Sequence, residues 1–230
     1  MKTLLPTLAI LLLLQSCSSN EIGNSKDVNP DAIYTSYYIS YAEGDESVRV
    51  TCQFRFAGKN GTTLVLTSPA SIDLDGNKLQ LDSGAITGAY YGTDRPFRAF
   101  AGNHTIVYTD INGKTYQQNF AFVPFKLASA IPADISGADL PLTFDGLKNG
   151  DIVHVEIADT ALSTSNIDET DTIANNQVVI IGSKFSNLKE GPLEMSIYRD
   201  FDTPLDNPTK EGGILNTTYK LKNKKTLLRK

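Results

Sequence analysis

The stretch SVRVTCQFRF, residues 47–56, alternates without a break. Val48, Val50, Cys52, Phe54 and Phe56 fall on one side, and Ser47, Arg49, Thr51, Gln53 and Arg55 on the other. Successive side chains of an extended chain point to opposite faces, so a period of two fits a strand with one face on a core and one in water. At 3.6 residues per turn the same side chains would scatter around a helix. Shorter runs of similar kind recur at Ile33–Tyr41, Thr62–Leu66, Ser71–Leu74, Lys78–Leu81, Ile86–Tyr91, His104–Thr109 and Thr115–Val123. They continue at Leu140–Phe144, Asp151–Ile157, Gln177–Ile181, Leu193–Arg199 and Ile214–Leu221, and no amphipathic helical repeat interrupts them. Many short strands separated by turn signals predict an all-β chain of sandwiches.

Two turns are marked by their own chemistry. DLDGNK (73–78) and DINGK (110–114) each place Gly where a tight hairpin needs a positive φ. The strands are too many for one pair of sheets, and VPFKLASAIP (123–132) reads as a seam. On each side of it a Gly precedes a late strand, Gly102 before NHTIVY and Gly191 before PLEMSIY, and a last strand follows. The second half adds DLPLTFDGLKNGDIVHVEI (139–157), two strands around a Gly-rich turn. These endings resemble the final hairpin of the immunoglobulin-like domains of bacterial surface proteins. The resemblance implies two tandem immunoglobulin-like β-sandwiches, residues 32–125 and 126–230. It lacks the Cys and Trp core of antibody domains, since the chain has no Trp, and a shared fold carries no function with it.

The N-terminus is of a different kind. Lys2 is followed by an apolar run from Leu4 to Leu14, broken only by Pro6 and Thr7. That is shorter than the roughly 20 apolar residues needed to span a bilayer and fits the apolar region of a secretory signal. The run closes on Leu14-Gln15-Ser16-Cys17, which resembles the lipobox of bacterial lipoproteins. The resemblance implies a signal peptide of residues 1–16, cleavage before Cys17 and diacylglycerol on its thiol. Residues 17–31 would then be a flexible tether, because SSNEIGNSKDVNPD has no hydrophobic periodicity. Ser18 rather than Asp after the cysteine points to the outer membrane, on either its periplasmic or its outward side.

The chain carries 21 Lys and Arg against 26 Asp and Glu, a formal charge of −5. Six of the bases lie between Lys220 and Lys230, which reads as a solvated basic tail. An acidic body argues against a nucleic-acid partner, which calls for a basic face. With Cys17 lipidated, Cys52 has no partner for a disulfide, and its place in the alternation predicts a core residue.

Catalytic signatures are absent. There is no G-x-S-x-G, H-E-x-x-H or S-x-x-K. His154 and Glu156 share a strand face without a third ligand, and His104 opens a strand. The acidic stretch 165–172, with Asp168, Glu169 and Asp171, reads as a solvated loop in preference to a calcium site. No cofactor, metal or catalytic residue is assigned.

Binding features stand out more. The connection DFDTPLDNPTKEGG (200–213) is long for a hairpin and carries Phe201, Leu205 and Asp206, a candidate binding loop at the end of a sandwich. Tyr34 and Tyr38 lie on the strand face opposite Tyr37 and Tyr41, and with Tyr90 and Tyr91 they form a set of candidate surface aromatics. The expectation is a non-enzymatic binding, adhesion or assembly module, lipid-anchored through Cys17 in the cell envelope, with an envelope protein or glycan as partner. A subunit of a fimbria-like assembly, a glycan-binding accessory lipoprotein and an envelope hydrolase stay open beside it.

Overall fold

The computed structural model describes residues 22–84, 87–159 and 165–230. The lipobox and Cys17 lie outside the described residues. Helical segments are 3-10 turns of three to six residues, and no helix among the described residues is long and apolar enough to cross a membrane. The rest of the regular structure is strand, as the alternation predicts.

In chain order the first half holds β1 (Ile22–Asn24), β2 (Ile33–Ala42), β3 (Ser47–Phe56), β4 (Thr62–Val65), β5 (Ser71–Leu74), β6 (Asn77–Lys78), β7 (Gln80–Gly84), β8 (Gly88–Pro96), β9 (Gly102–Thr109) and β10 (Thr115–Phe122). The second holds β11 (Lys126–Leu127), β12 (Asp134–Ile135), β13 (Leu140–Asp145), β14 (Ile152–Asp159), β15 (Asn166–Thr172), β16 (Gln177–Ile180), β17 (Gly191–Pro204), β18 (Gly213–Lys220) and β19 (Lys224–Leu228).

Three sheets result. The largest runs β1-β4-β3-β2-β18-β17-β14-β15, with β8 and β7 branching from β3 and β19 and β12 from β17. The second is β10-β9-β5-β6 and the third β11-β13-β16. Each small sheet covers one half of the large one, giving two sandwich-like layers. In the first, Tyr37, Ile39, Val48, Val50, Cys52 and Phe54 are buried with Ile72, Leu74, Ile106 and Tyr108. Phe54 and Tyr108 set their rings 4.7 Å apart. In the second, Val153, Val155, Ile157, Leu193, Met195 and Ile197 are buried with Leu142, Phe144, Val178 and Ile180.

The two marked turns form as expected. Asp75 and Gly76 both take positive φ, 51° and 74°, between β5 and β6. At the other, Gly113 has φ 80° and Asp110 Oδ1 accepts from the backbone N–H of Asn112 and Lys114. That side chain adds to the backbone bonds of the same turn, Gly113 N–H to the Asp110 carbonyl and Asp110 N–H to the Lys114 carbonyl.

One strand ties the halves together. Residues 191–198 of β17 pair with β14 and β19, whereas Tyr198–Pro204 pair with β18. β18 then lies parallel to β2 over eight residues, from Gly213 beside Thr35 to Lys220 beside Ala42. A strand from the end of the chain therefore completes the sheet begun by its first long strand.

Four expectations are corrected. β17 runs on to Pro204, so the long connection is residues 205–212 rather than 200–213. The acidic stretch is a strand, β15, whose Ile167 is buried and whose Glu169 pairs with Lys184. The basic tail is also a strand, β19, since Thr226 and Leu228 alternate inward against the second core. Residues 22–31 are not a tether: β1 pairs with β4, and buried Ser25 accepts the N–H of Thr67 on its Oγ. The end of β17 and β15 pair with the strands next to them in sequence, β18 and β14, and β19 and β1 with more distant ones, β17 and β4; in each the partner strand supplies what a weak local pattern lacks.

Candidate functional site

The large sheet turns one face away from both cores. Its register brings together residues from six strands: Asp202, Asn216, Tyr38, Thr51, Gly92 and Gln80 lie in one row across β17, β18, β2, β3, β8 and β7. Strands sit about 4.8 Å apart, so Tyr38 on β2 and Gly92 on β8 are separated by roughly 10 Å. Over this row the first half opens into a trough of about 550 Å³ lined by Tyr38, Tyr90, Arg49, Arg55, Thr51, Gln53 and Thr87.

Its floor is low because its central residues are small. Beyond Thr51 stands Gly92, and a Cβ there would meet Tyr90 at 3.4 Å and the Arg49 guanidinium at 3.5 Å. The walls are aromatic. Tyr38 is 38% exposed. Tyr90 is held upright, its hydroxyl donating to Asp82 Oδ2 at 2.8 Å. That bond keeps the Asp82 carboxyl below its ordinary range and raises the Tyr90 phenol. Arg49 passes 5.9 Å from the Tyr90 ring centroid and pairs with Asp94 at 2.9 Å.

The other end of the trough is built in tiers. Gln53 is only 6% exposed, and its amide donates to the carbonyls of Thr87 and Ala89. Its Oε1 accepts from Arg55 Nε at 3.2 Å and Nη2 at 2.8 Å. A buried amide thus aims a surface guanidinium. Tyr34 lies beside Arg55 in the register, and burial, with Tyr38 and Asp202 nearby, raises its phenol.

Of the candidate surface aromatics, Tyr34, Tyr38 and Tyr90 share this face. Tyr91 does not. It is 7% exposed, and its hydroxyl accepts the N–H of Leu66. Adjacent residues of a strand cannot both face outward, and Tyr91 takes the core side against Phe54. Arg49, Thr51, Gln53, Arg55, Thr87 and Gly92 were not singled out from sequence. The outward positions of SVRVTCQFRF hold four of them, which is the signal that could have found them.

The candidate loop residues are used inside the fold. Leu205 is buried, and the Asp206 N–H donates to Gln118 Oε1 at 2.7 Å while its carboxylate accepts from Gln118 Nε2. Thr209 donates to the carbonyl of Ile33, and Lys210 pairs with Asp31 at 2.6 Å. Phe201 lies under the Arg199 guanidinium at 5.0 Å in a crevice between the halves. Arg199 is committed there to Asp151 and the Ile152 carbonyl. The loop therefore seals the first sandwich, because strand pairing to Pro204 draws it over the end of β2.

His154 and Glu156 are likewise engaged. His154 stacks on Tyr198 and shares a hydrogen bond with Thr170, and the Tyr198 hydroxyl donates to Glu156 at 2.7 Å. That bond helps push the Tyr198 phenol up to about 12. No group of three or more His, Cys, Asp or Glu suited to a metal ion occurs among the described residues.

The trough offers stacking faces, a hydroxyl and oriented cationic donors on rigid strands. That equipment is suited to holding and orienting a polar ligand, and the lining carries no nucleophile with a base beside it.

No family model matches the chain and no curated protein matches it. Among solved structures it is similar to a tetra-tandem repeat in the extending region of a large adhesion protein. That likeness has 16% identity and a TM-score of 0.28, over 86% of this chain and 50% of the other. A second is to SGBP-B of the Bacteroides ovatus mixed-linkage glucan utilization locus, in complex with a mixed-linkage heptasaccharide, at 11% identity and TM-score 0.22, over 87% and 65%. A third is to the fibronectin(III)-like modules of Clostridium thermocellum CbhA, at 13% and 0.25, over 82% and 89%. The chain spans half the length of the first of these and under two thirds of the second. Likenesses of this depth carry no weight for function. The class of the chain, all-β with sandwich-like sheets, rests on its own strand pairing.

Proposed function

We propose that the protein is a non-enzymatic binding module that takes up saccharide units on the outer face of its first-half sheet, held at a membrane by a lipid on Cys17. The observation that carries this reading is the trough itself: Tyr38 and Tyr90 rise as walls over a floor of Thr51 and Gly92, with Arg49 and Arg55 at its ends. Sugar rings present C–H faces to aromatics and hydroxyls to polar groups, and this surface supplies both. Each aromatic contact contributes about 0.5–1.5 kcal/mol and each hydrogen bond a similar amount. Two walls and three hydrogen bonds total roughly 2.5–7.5 kcal/mol, a Kd from about 15 mM down to a few micromolar. Modest affinity suits a module held at a surface, where several copies engage one polymer.

Titration calorimetry of the chain without residues 1–16 against a panel of neutral and acidic oligosaccharides tests the binding. Micromolar to millimolar binding that is lost in Tyr38→Ala supports it. Absence of binding across the panel, or binding indifferent to Tyr38→Ala, overturns it. The anchor is tested separately by incorporation of labelled palmitate in a bacterial host. Label in the parent chain and none in Cys17→Ser supports lipidation; an unlabelled parent refutes it.

A further inference from the structure

We infer that the saccharide taken by the trough is an acidic one, with a uronate carboxylate or a sulfate ester seated on the guanidinium of Arg55. The inference rests on the saccharide-binding reading above and adds the charge of the ligand.

Two guanidiniums line the trough, and no carboxylate does. They differ in how they are held. Arg49 is matched by Asp94 at 2.9 Å. Arg55 makes no ion pair among the described residues; its partner is the neutral Oε1 of Gln53. A neutral acceptor fixes a guanidinium without cancelling its charge. The nearby acids are already engaged, Asp82 by Tyr90, Asp94 by Arg49 and Asp202, on the Tyr34 side, by the Asn216 amide at 2.9 Å.

The geometry leaves the right donors over. A guanidinium has five N–H groups, and Gln53 takes the one on Nε and one on Nη2. Both hydrogens of Nη1 and one of Nη2 remain, which is the paired end that meets a carboxylate or sulfate through two parallel hydrogen bonds. Gln53 is itself locked from below by the carbonyls of Thr87 and Ala89. The donor is therefore pre-oriented, and little side-chain entropy is lost when an anion arrives. Tyr34, its cross-strand neighbour, and Tyr38 flank the position an acidic sugar would occupy.

The test is calorimetry with oligouronates, the same oligomers as methyl esters, and sulfated oligosaccharides, at low salt and at about 0.5 M NaCl, where the screening length falls to roughly 3–10 Å. Methyl esters keep the shape and remove the charge. The expected result is binding of the acids or sulfates at least about tenfold tighter than the esters. That preference should shrink in high salt and vanish in Arg55→Gln, in which acid and ester should bind alike. Arg55→Lys should recover only part of it, as a point charge lacks the paired donors. Preference for uronate over sulfate identifies the carboxylate as the source, and the reverse identifies the sulfate. Equal affinity for acid and ester overturns the inference while leaving saccharide binding intact. A preference that survives in Arg55→Gln also overturns it. Binding of none of the oligosaccharides overturns both.

Discussion

Leu215 of β18 stands level with Tyr37 of β2 on the neighbouring strand, the two running parallel with both side chains buried. The pair joins the last strand but one to the first long strand. Because β18 reaches this place through β17, which also pairs with β14 and β19, the cores of the two halves share one hydrogen-bonded ladder. Tyr219, four positions on from Leu215, brings the same strand to the joint, where it meets Tyr41 at 4.9 Å and Phe125 at 4.8 Å.

Truncating Leu215 should weaken the first half even though it lies in the second half of the sequence. Leu215→Ala is expected to cost about 2–5 kcal/mol, the range for a buried Leu that leaves a cavity. Urea unfolding followed by tyrosine fluorescence and by far-ultraviolet circular dichroism checks this. The two probes should move together to lower urea; a variant as stable as the parent would show that β18 does not support the core.

Cys52 should be inert until the protein unfolds. It is fully buried, and burial pushes its thiol well above the ordinary cysteine range, so thiolate is scarce at neutral pH. A thiol reagent such as dithionitrobenzoate, applied to Cys17→Ser to isolate this one thiol, should label only after denaturant is added. Rapid labelling of the folded chain would refute a core position.

Gly92→Val should block the trough without harming the fold. The position lies in β8, has ordinary strand conformation, and has space for a Cβ at van der Waals distance from Tyr90 and Arg49. A β-branched residue suits a strand, so stability should be unchanged or raised by up to about 1 kcal/mol. Saccharide affinity should fall about tenfold or more, a loss of at least about 1.4 kcal/mol. Calorimetry beside a melting curve reads both, and unchanged affinity would move the binding site elsewhere.

Alkali should loosen the joint. Burial first, and then Tyr41 and Glu43, push the Tyr219 phenol up to about 12 from an ordinary value of 10.0. A raised folded value means the stabilising contribution is complete below pH 10 and is lost as pH rises through 12. Urea midpoints measured between pH 9 and pH 12 should fall across that window. Tyr219→Phe should be less steep there, and an identical slope in the variant would exclude Tyr219 as a source of the effect.

The trough was half legible. Tyr34 and Tyr38 separate from Tyr37 and Tyr41 by strand parity alone, and Arg49, Gln53 and Arg55 occupy the polar positions of the plainest alternation in the chain. Tyr90 is brought to them only by the pairing of β3 with β8, and the choice of Tyr90 over Tyr91 depends on which side of β8 meets the core. The role of Gln53 needed both its burial and the two carbonyls beneath it.

The sequence by itself determined the all-β class, the plainly alternating strands and the turns at Asp75-Gly76 and Gly113, because alternation and positive φ are local properties read over a few residues. It also determined the inward face of β3 with Cys52 upon it. The tertiary structure decided that β18 joins β2, that β15 and β19 are strands despite their charge, and that residues 205–212 close a sandwich. Those outcomes depend on contacts between segments, some neighbouring, as β15 with β14, and some far apart, as β18 with β2. A weakly patterned segment gains its stability from the partner it pairs with, and that partner cannot be seen from the segment alone.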